Sequence, residues 1–155
     1  MHCFIVGYYG FNNVGDDVCL AQTCRLLKGA FNECTWTFLG KETDRSKHEI
    51  SRWNIGRVCA EIARSDRVIL GGGGLLQNKT SQLSLYYYLG LVLVAIICRV
   101  PVIGLGQGIG PIHGWISKGI TRFILRLFEG VTIRSDVALD NIAEFFKKNA
   151  EEERE

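Results

Sequence analysis

The segment Arg67-Val68-Ile69-Leu70-Gly71-Gly72-Gly73-Gly74 decides the fold of this 155-residue chain. A short apolar run that ends at glycine is typical of a buried strand followed by a tight loop. The same pattern occurs at residues 3–6, before Gly7, and at residues 100–105, which enter another glycine-rich stretch. Eleven of the 18 glycines lie in three clusters, at 7–15, 71–74 and 104–110. This clustering is the first indication of a function.

Segments with helical spacing alternate with the strands. Apolar residues recur at i, i+3, i+4 and i+7 between positions 55 and 63, which predicts a helix carrying Ile55, Val58, Cys59, Ile62 and Ala63. Further helices are predicted from Asp16 to Lys28 with Gly29 as the stop, at 84–98, along Ile116, Ile120, Phe123, Ile124 and Leu127, and along Leu139, Ile142, Ala143 and Phe146. Strands are predicted at 35–39 and 131–134. The polar run 40–51 is predicted to be a loop with at most a short element.

Five strands alternating with helices predict an α/β fold with an open parallel sheet and helices on both faces. Right-handed crossovers place every strand-to-helix loop at one edge of such a sheet. Ligands bind where the strand order reverses. If the first strand and Arg67–Leu70 flank that point, the loops at 7–15 and 71–81 face each other. A single domain over residues 1–150 is expected, with a frayed charged tail at 151–155.

The net charge, the cysteine spacing and the length of the apolar stretches argue against several classes of function. A net charge of +2 gives no general attraction to nucleic acid. The six cysteines lack metal-ligand spacing and are interpreted as small buried apolar residues, with a redox or metal role as the minor alternative. The first residues lack a basic leader, and the apolar stretch 85–98 is shorter than the ~20 residues that span a bilayer. A soluble chain in a reducing compartment, most simply the cytoplasm, is expected, and no residue pattern demands a metal or nucleotide cofactor.

The first glycine-rich loop favours a ligand rich in hydroxyl groups. Gly10-x-Asn12-x-x-Gly15 lacks the second glycine of a dinucleotide fingerprint. Asp16 and Asp17 occupy the position of a pyrophosphate, and like charges ~4 Å apart repel by ~4 kcal/mol at an effective dielectric of ~20. Carboxylates instead accept hydrogen bonds from hydroxyls, and an Asp is suited to act as a general base. The alternative is that Asp16 only caps the following helix.

The second loop combines bare backbone with polar side chains. Gly72, Gly73 and Gly74 expose main-chain groups to a ligand. Amide and hydroxyl side chains follow and supply donors and acceptors: Gln77, Asn78, Thr80 and Ser81. The alternative is a tight turn that lets a helix and a strand pack closely.

The third loop and the last strand add three candidates. Gln107 is the only amide of its loop, and His113 is its only side chain that titrates near neutrality, although a lone loop histidine is more often a bystander. Arg134 ends a strand at the predicted ligand edge, where a guanidinium binds a carboxylate or phosphate through two hydrogen bonds. The alternative for Arg134 is a structural ion pair with Asp136.

Two patterns on predicted helices stay open. Lys118, Arg122 and Arg126 recur at i, i+4 and i+8, which favours a solvated helix face, with contact to an anionic membrane surface as the minor alternative. Three successive tyrosines at 86–88 point in three directions on a helix, so at least one is expected in the core and one in solvent.

Three motifs in this order resemble those of the polysaccharide pyruvyl transferases of the CsaB type. They are Gly7-Tyr8-Tyr9-Gly10-Phe11-Asn12-Asn13-Val14-Gly15-Asp16-Asp17, then the run from Gly71 to Ser81, then Gly106-Gln107-Gly108-Ile109-Gly110-Pro111. The resemblance implies a Rossmann-like domain, the N-terminal half of a GT-B-like architecture. It also implies transfer of pyruvate from phosphoenolpyruvate, the donor substrate, onto two hydroxyls of a cell-wall sugar as a ketal.

The resemblance assigns roles to individual positions. Gly10, Asn12, Asp16 and Asp17 would line the cleft, and the segment 71–81 would hold substrate. Arg134 matches a strand-ending arginine implicated in binding phosphoenolpyruvate. Asn12 and Gly74 stand where the family usually has Gly and Ser.

The resemblance also implies a C-terminal domain that carries further basic donor-site residues, and nothing after Arg134 corresponds to it. Burying the roughly three negative charges of phosphoenolpyruvate behind one arginine is costly. A C-terminal domain or a partner chain is therefore expected to complete the site. The competing interpretations are a non-catalytic remnant, a glycan- or partner-binding subunit, and a nucleotide-sugar-binding domain with phosphate contacts at the glycine loops.

Overall fold

A computed structural model of the chain describes residues 1–31, 33–42, 44, 48–79 and 81–134. These residues form seven strands and four helices. In chain order they are β1 (His2–Val6), α1 (Val14–Ala30), β2 (Thr35–Gly40), β3 (Glu49–Ser51), α2 (Ile55–Arg64), β4 (Arg67–Leu70), β5 (Gly73–Leu76), α3 (Gln82–Ile97), β6 (Val102–Ile109), α4 (Trp115–Leu125) and β7 (Gly130–Ile133). The predicted last helix and charged tail lie outside the described residues.

The strands form one parallel sheet, as the sequence predicts. Their order is β3-β2-β1-β4-β6-β7, and β5 continues beside the second half of β6, on the same edge as β4. The chain runs outward from β1 to β2 and β3, then crosses to β4 on the other side of β1. The strand order therefore reverses between β1 and β4.

Helices cover both faces of the sheet. Alternate residues of β1 enter two separate cores, with Phe4 and Val6 on one face and Cys3 and Ile5 on the other. The first core is closed by α2, α3 and α4, whereas the second is closed by α1 through Leu27. The predicted α/β class and the helices on both faces are confirmed.

The second and third glycine-rich loops contain strand residues instead, and the polar run 40–51 contains a short strand, which its prediction allowed. Residues 49–51 form β3, and the second glycine cluster continues into β5 while the third lies mostly within β6. Gly73 and Gly106 have φ angles of +136° and +59°, and the strand register shifts next to each. Glycine at these points lets the backbone bulge, so the ladder is displaced rather than ended.

Helix α1 begins earlier and ends later than predicted. Its N-cap is Asn13, whose side-chain oxygen accepts a hydrogen bond from the Gly15 N–H at 3.2 Å. The prediction that Asp16 caps this helix is therefore wrong, because Asp16 lies in its first turn. Gly29 is not a stop, since the helix continues to Ala30 and Phe31 is its C-cap.

Helix α4 forms where the spacing predicts it, but of the five apolar residues that predict it, only Ile124 is buried. Cys98 is exposed, contrary to the prediction that all six cysteines are buried, and Cys19, Cys24, Cys34 and Cys59 are only half-buried. In the described part of the chain, no helix has both the length and the apolar character needed to cross a membrane.

Candidate functional site

A cleft opens at the carboxyl edge of the sheet, between the loop after β1 and the segment around β5. Its cavity volume is about 570 Å³. Its walls are formed by Tyr8, Asn13, Asp16, Gly74, Leu75, Gln77, Ser81, Ser84 and Tyr88. Because β1 and β4 are paired neighbours, the cleft lies at the strand-order reversal, where α/β sheets bind ligands. The predicted facing of the two loops is confirmed.

Asp16 is the acidic side chain of the cleft wall. Its Oδ2 accepts a 2.6 Å hydrogen bond from Asn13 Nδ2. On the other side, a Cβ built on Gly73 would lie 3.0 Å from Asp16 Oδ1, so glycine lets the carboxylate approach the backbone closely. Partial burial raises the pKa of Asp16 above its ordinary value, and the charge of Asp17 adds to this rise. Asp16 therefore holds a proton to a higher pH than an exposed aspartate does, which suits it to proton transfer.

Asp17 and its neighbours shape the first loop. The Gly10 N–H donates to Asp17 Oδ1 at 3.4 Å, which draws the loop back onto the start of α1. Gly10 and Asn12 have φ angles of +79° and +58°, in the left-handed region that favours glycine and tolerates asparagine. This explains how Asn12 replaces the glycine usual in the resembled family. None of these three residues lines the cleft, and a substrate contact for any of them stays a prediction.

The glycines of the second cluster serve close packing as well as the cleft. A Cβ on Gly72 would lie 3.0 Å from Cys19 Sγ of α1, so helix and strand approach closely there. Gly74 is exposed and lines the cleft next to the amide of Gln77. The close-packing interpretation therefore holds at Gly72, whereas Gly74 leaves bare backbone in the cleft wall.

The ring of Tyr9 explains why positions 7 and 71 are glycine. Its ring is fully buried, and a Cβ on either Gly7 or Gly71 would overlap it. The Tyr9 hydroxyl is buried without a hydrogen-bond partner among the described residues, and burial raises its pKa. Gly7 and Gly71 therefore make room for an aromatic ring rather than for a ligand.

Gln107 lies beneath the cleft rather than in its wall. The residue is fully buried, and its Nε2 donates to the carbonyl oxygens of Leu70 and Gly71 at 2.9 and 2.8 Å. The amide nitrogen is bound to backbone, and the predicted substrate contact for Gln107 stays a prediction. Its structural effect is to fix the end of β4 against β6.

Some of the polar side chains after β5 line the cleft, and others form hydrogen bonds that hold neighbouring segments in place. Gln77 and Ser81 line the cleft, and Ser81 Oγ also accepts the Ser84 N–H at 3.3 Å as the N-cap of α3. Asn78 instead exchanges two hydrogen bonds with the backbone of His113, at 2.7 and 2.8 Å. Thr80 lies outside the described residues, so its predicted role stays a prediction.

Arg134 follows β7 at the same edge of the sheet. Its N–H donates to the Gln107 carbonyl at 3.1 Å, which holds the backbone, and the residue is exposed. Its positive charge lowers the pKa of Asp16, opposing the rise that burial causes. The structure thus brings the two predicted catalytic residues within electrostatic reach of each other. Asp136, its predicted alternative partner, lies outside the described residues.

Sequence reasoning missed Arg52, which directly follows β3. The residue is only 8% exposed, and its Nε has no hydrogen-bond partner among the described residues. Its guanidinium carbon lies 4.9–5.7 Å from the centres of five aromatic rings, here called the Arg52 cage: Tyr8, Phe11, Trp53, Tyr87 and Tyr88. No described carboxylate pairs with it. Cation–π attraction therefore compensates this buried charge.

The Arg52 cage forms part of the cleft wall. Tyr8 and Tyr88 contact the guanidinium and also line the cleft. Burial raises the pKa of Tyr88 to about 12, although the charge of Arg52 opposes the rise. Of the tyrosine run, Tyr88 is buried, as predicted for at least one of them, and Tyr86 and Tyr87 are half-buried. The cage joins residues up to 80 positions apart, and no local pattern signals it.

The described residues do not group metal ligands, and the start of α1 does not favour a phosphate. Within the described ranges, no three His, Cys, Asp or Glu side chains are grouped to hold a metal ion. The N-terminal turn of α1, the positive end of a helix dipole, already carries Asp16 and Asp17, which repel a phosphate.

The fold and the cleft define an α/β protein with an open parallel sheet and a cleft at its carboxyl edge. The model of the polysaccharide pyruvyl transferase family matches residues 13–152 of this chain. Since the match spans most of its length, the chain belongs to the polysaccharide pyruvyl transferase family, as its three motifs indicate. No curated protein and no solved structure matches the chain.

Proposed function

We propose that this chain is the acceptor-binding part of an enzyme that transfers pyruvate from phosphoenolpyruvate to a cell-wall or surface polysaccharide. The pyruvate becomes a ketal on two sugar hydroxyls. Membership of the polysaccharide pyruvyl transferase family supports the reaction class. The observation that carries the proposal is a partly buried carboxylate, Asp16, in a cleft at the strand-order reversal, with the charge of Arg134 within reach.

The cleft wall suits a sugar. The side chains of Gln77 and Ser81 and the bare backbone at Gly74 offer donors and acceptors for hydroxyl groups. Asp16 accepts the proton of the attacking hydroxyl as a general base. Tyr8, which is 39% exposed, supplies aromatic surface in the cleft wall and is held by Arg52.

The transfer itself needs one proton uptake and one departing phosphate. The enol methylene takes up a proton, and a sugar hydroxyl bonds to the central carbon as it releases its own proton. Phosphate then leaves with the electrons of its C–O bond, and the second hydroxyl closes the ketal and releases its proton. Arg134 binds the carboxylate or phosphate of the donor.

Charge balance supports a second contributor to the donor site. Phosphoenolpyruvate carries about three negative charges, which are costly to desolvate without partners. Arg134 is exposed at the edge, whereas Arg52 lies behind aromatic rings. We therefore propose that a C-terminal domain or partner chain supplies further cations. The free cysteines of the described residues fit a reducing compartment, and we place the reaction in the cytoplasm.

The test is phosphate release from phosphoenolpyruvate in the presence of glycan acceptors. The chain is assayed alone and with the C-terminal domain of a family member supplied separately. We expect release that requires both the acceptor and the second domain. Asp16→Asn and Arg134→Ala should each abolish most of it, whereas Arg25→Ala, an exposed arginine on α1, should not.

Three results would contradict parts of the proposal. Full turnover by this chain alone would refute the need for further cations. Sugar binding with no turnover under any combination would favour a glycan-binding subunit, and the absence of both binding and turnover would favour a non-catalytic remnant.

A further inference from the structure

The outer face of α4 places large apolar side chains in solvent. Trp115 is 82% exposed, Phe123 60% and Ile116 50%, and Ile120 and Leu127 are also exposed. Two of the four residues that α4 buries are instead the hydroxyl side chains Ser117 and Thr121. Helix α4 therefore presents more large apolar side chains to solvent than to the core.

Apart from Trp115, the exposed apolar side chains of α4 form one stripe. Ile116, Ile120 and Phe123 are spaced at i, i+4 and i+7, so they follow each other along one side of the helix, and Leu127 follows two residues after the helix ends. Scattered exposed apolar residues are normal on a protein surface, whereas a contiguous patch marks an interaction site.

Basic residues border this stripe. Lys118 and Arg126, the C-cap residue, are exposed, whereas Arg122 between them is half-buried. Residues 110–128 contain no aspartate or glutamate. An apolar face with tryptophan and phenylalanine, bordered by lysine and arginine, is the composition of helices that lie in a membrane interface. An anionic lipid surface attracts such basic residues without specific partner carboxylates.

We propose that α4 docks this protein onto an anionic lipid bilayer, with its outer face inserted at the headgroup level. The helix lies in the membrane plane and does not cross it. This inference concerns lipid binding and does not rest on the proposed function.

Hydrogen bonds connect α4 and the loop before it to segments next to the cleft. Helix α4 follows β6 after a five-residue connection that leaves the carboxyl edge of the sheet. Asn78, next to the cleft residue Gln77, binds the backbone of His113 just before α4, and Ser117 Oγ lies 2.9 Å from the Tyr86 hydroxyl of α3. A docked α4 would therefore hold the cleft beside the membrane surface.

The experiment is co-sedimentation of the full chain with vesicles. Vesicles of pure phosphatidylcholine are compared with vesicles that also contain phosphatidylglycerol, at low and at high salt. We expect binding to the anionic vesicles that weakens in salt, and a roughly tenfold loss of partitioning in Trp115→Ala/Phe123→Ala. Lys118→Glu should weaken binding to the anionic vesicles.

Matched controls lie on α1. Val18 and Leu26 are 52% and 60% exposed, so Val18→Ala/Leu26→Ala removes exposed apolar side chains elsewhere and should bind as the unaltered chain does. Arg25→Glu is the charge control. Equal loss in control and α4 variants, or no binding of the unaltered chain to anionic vesicles, would overturn the proposal. So would a dimer that Trp115→Ala/Phe123→Ala converts to monomer while vesicle binding is absent, because the face would then hold a second copy.

Discussion

Two arginines stand near opposite ends of the carboxyl edge, and their surroundings differ completely. Arg52 follows β3 and is enclosed by five aromatic rings, whereas Arg134 follows β7 and is exposed. The charge of Arg134 lowers the pKa of the Asp16 carboxyl, whereas the charge of Arg52 lowers the pKa of the Tyr87 and Tyr88 hydroxyls; burial raises the pKa of all three groups. The guanidinium of Arg52 therefore packs against aromatic rings of the cleft wall, whereas the guanidinium of Arg134 is accessible to an anionic ligand.

The difference shows how burial decides the role of a charge. A guanidinium enclosed by rings is stabilised by cation–π attraction, and its long side chain also contributes packing. An exposed guanidinium contributes little to stability but keeps its hydrogen-bond donors for a carboxylate or phosphate. Changes at Arg134 should therefore alter function, and changes at Arg52 should alter stability.

The largest expected effect is that of Arg134→Ala on turnover. Loss of a charge that stabilises the donor should lower the turnover of the reconstituted enzyme by about 10³-fold. The thermal unfolding midpoint should not change, because the side chain is exposed. Phosphate-release kinetics and calorimetry check both parts, and a turnover equal to that of Arg25→Ala would remove Arg134 from the donor site.

Asp16→Asn should lower turnover by about 10²-fold, because the general base is lost. It should also stabilise the fold at neutral pH. Since the folded pKa of Asp16 is raised, folding binds its proton more tightly, and stability falls as pH rises from the unfolded pKa through the folded pKa. The gain should therefore disappear below the ordinary aspartate pKa of about 3.9. Urea unfolding at neutral and acid pH measures it, and a gain independent of pH would contradict the raised pKa.

Arg52→Ala should act mainly on stability. Removal of the guanidinium leaves a cavity among the rings and ends their cation–π contacts, so the free energy of unfolding should fall by about 2–3 kcal/mol. Arg57→Ala, at an exposed position on α2, should change it by less than about 0.5 kcal/mol. Urea titration compares the two variants. A fall in turnover as large as that of Arg134→Ala, without a loss of stability, would break the proposed division between the two arginines.

The smallest effect concerns Tyr9, which lies between these ends. Its buried hydroxyl has no described hydrogen-bond partner, in contrast to the compensated charge of Arg52. Tyr9→Phe should therefore raise the free energy of unfolding by about 1 kcal/mol. A loss of stability instead would show that the hydroxyl is satisfied. Tyr88→Phe is the comparison, because the Tyr88 hydroxyl donates to the Gly7 carbonyl at 3.4 Å.

The sequence predicts the sheet and the edge that holds the site because both follow from local patterns. Apolar runs that end at glycine mark strand ends, and parallel connectivity brings those ends together. The positions of Asp16, Gln77 and Ser81 in the cleft follow from that rule alone. The bulges at Gly73 and Gly106 were not predictable, because a glycine run gives no indication that pairing continues through it.

The remaining differences arise from contacts between distant parts of the chain. Gly7 and Gly71 house the ring of Tyr9, and the Gln107 amide turns inward to β4. The Arg52 cage joins three separate segments, so no window of sequence reveals it. The apolar residues of α4 predict a helix correctly, but periodicity does not say which stripe meets the core when two residues of the buried stripe are serine and threonine.

The most direct measurement is the titration of the Asp16 carboxyl by carbon NMR in the unaltered chain, in Arg134→Ala and in Arg52→Ala. If Arg134 and Asp16 belong to one site, loss of the guanidinium should raise the Asp16 pKa further, while Arg52→Ala leaves it in place. An Asp16 pKa that does not respond to Arg134→Ala would contradict a shared site.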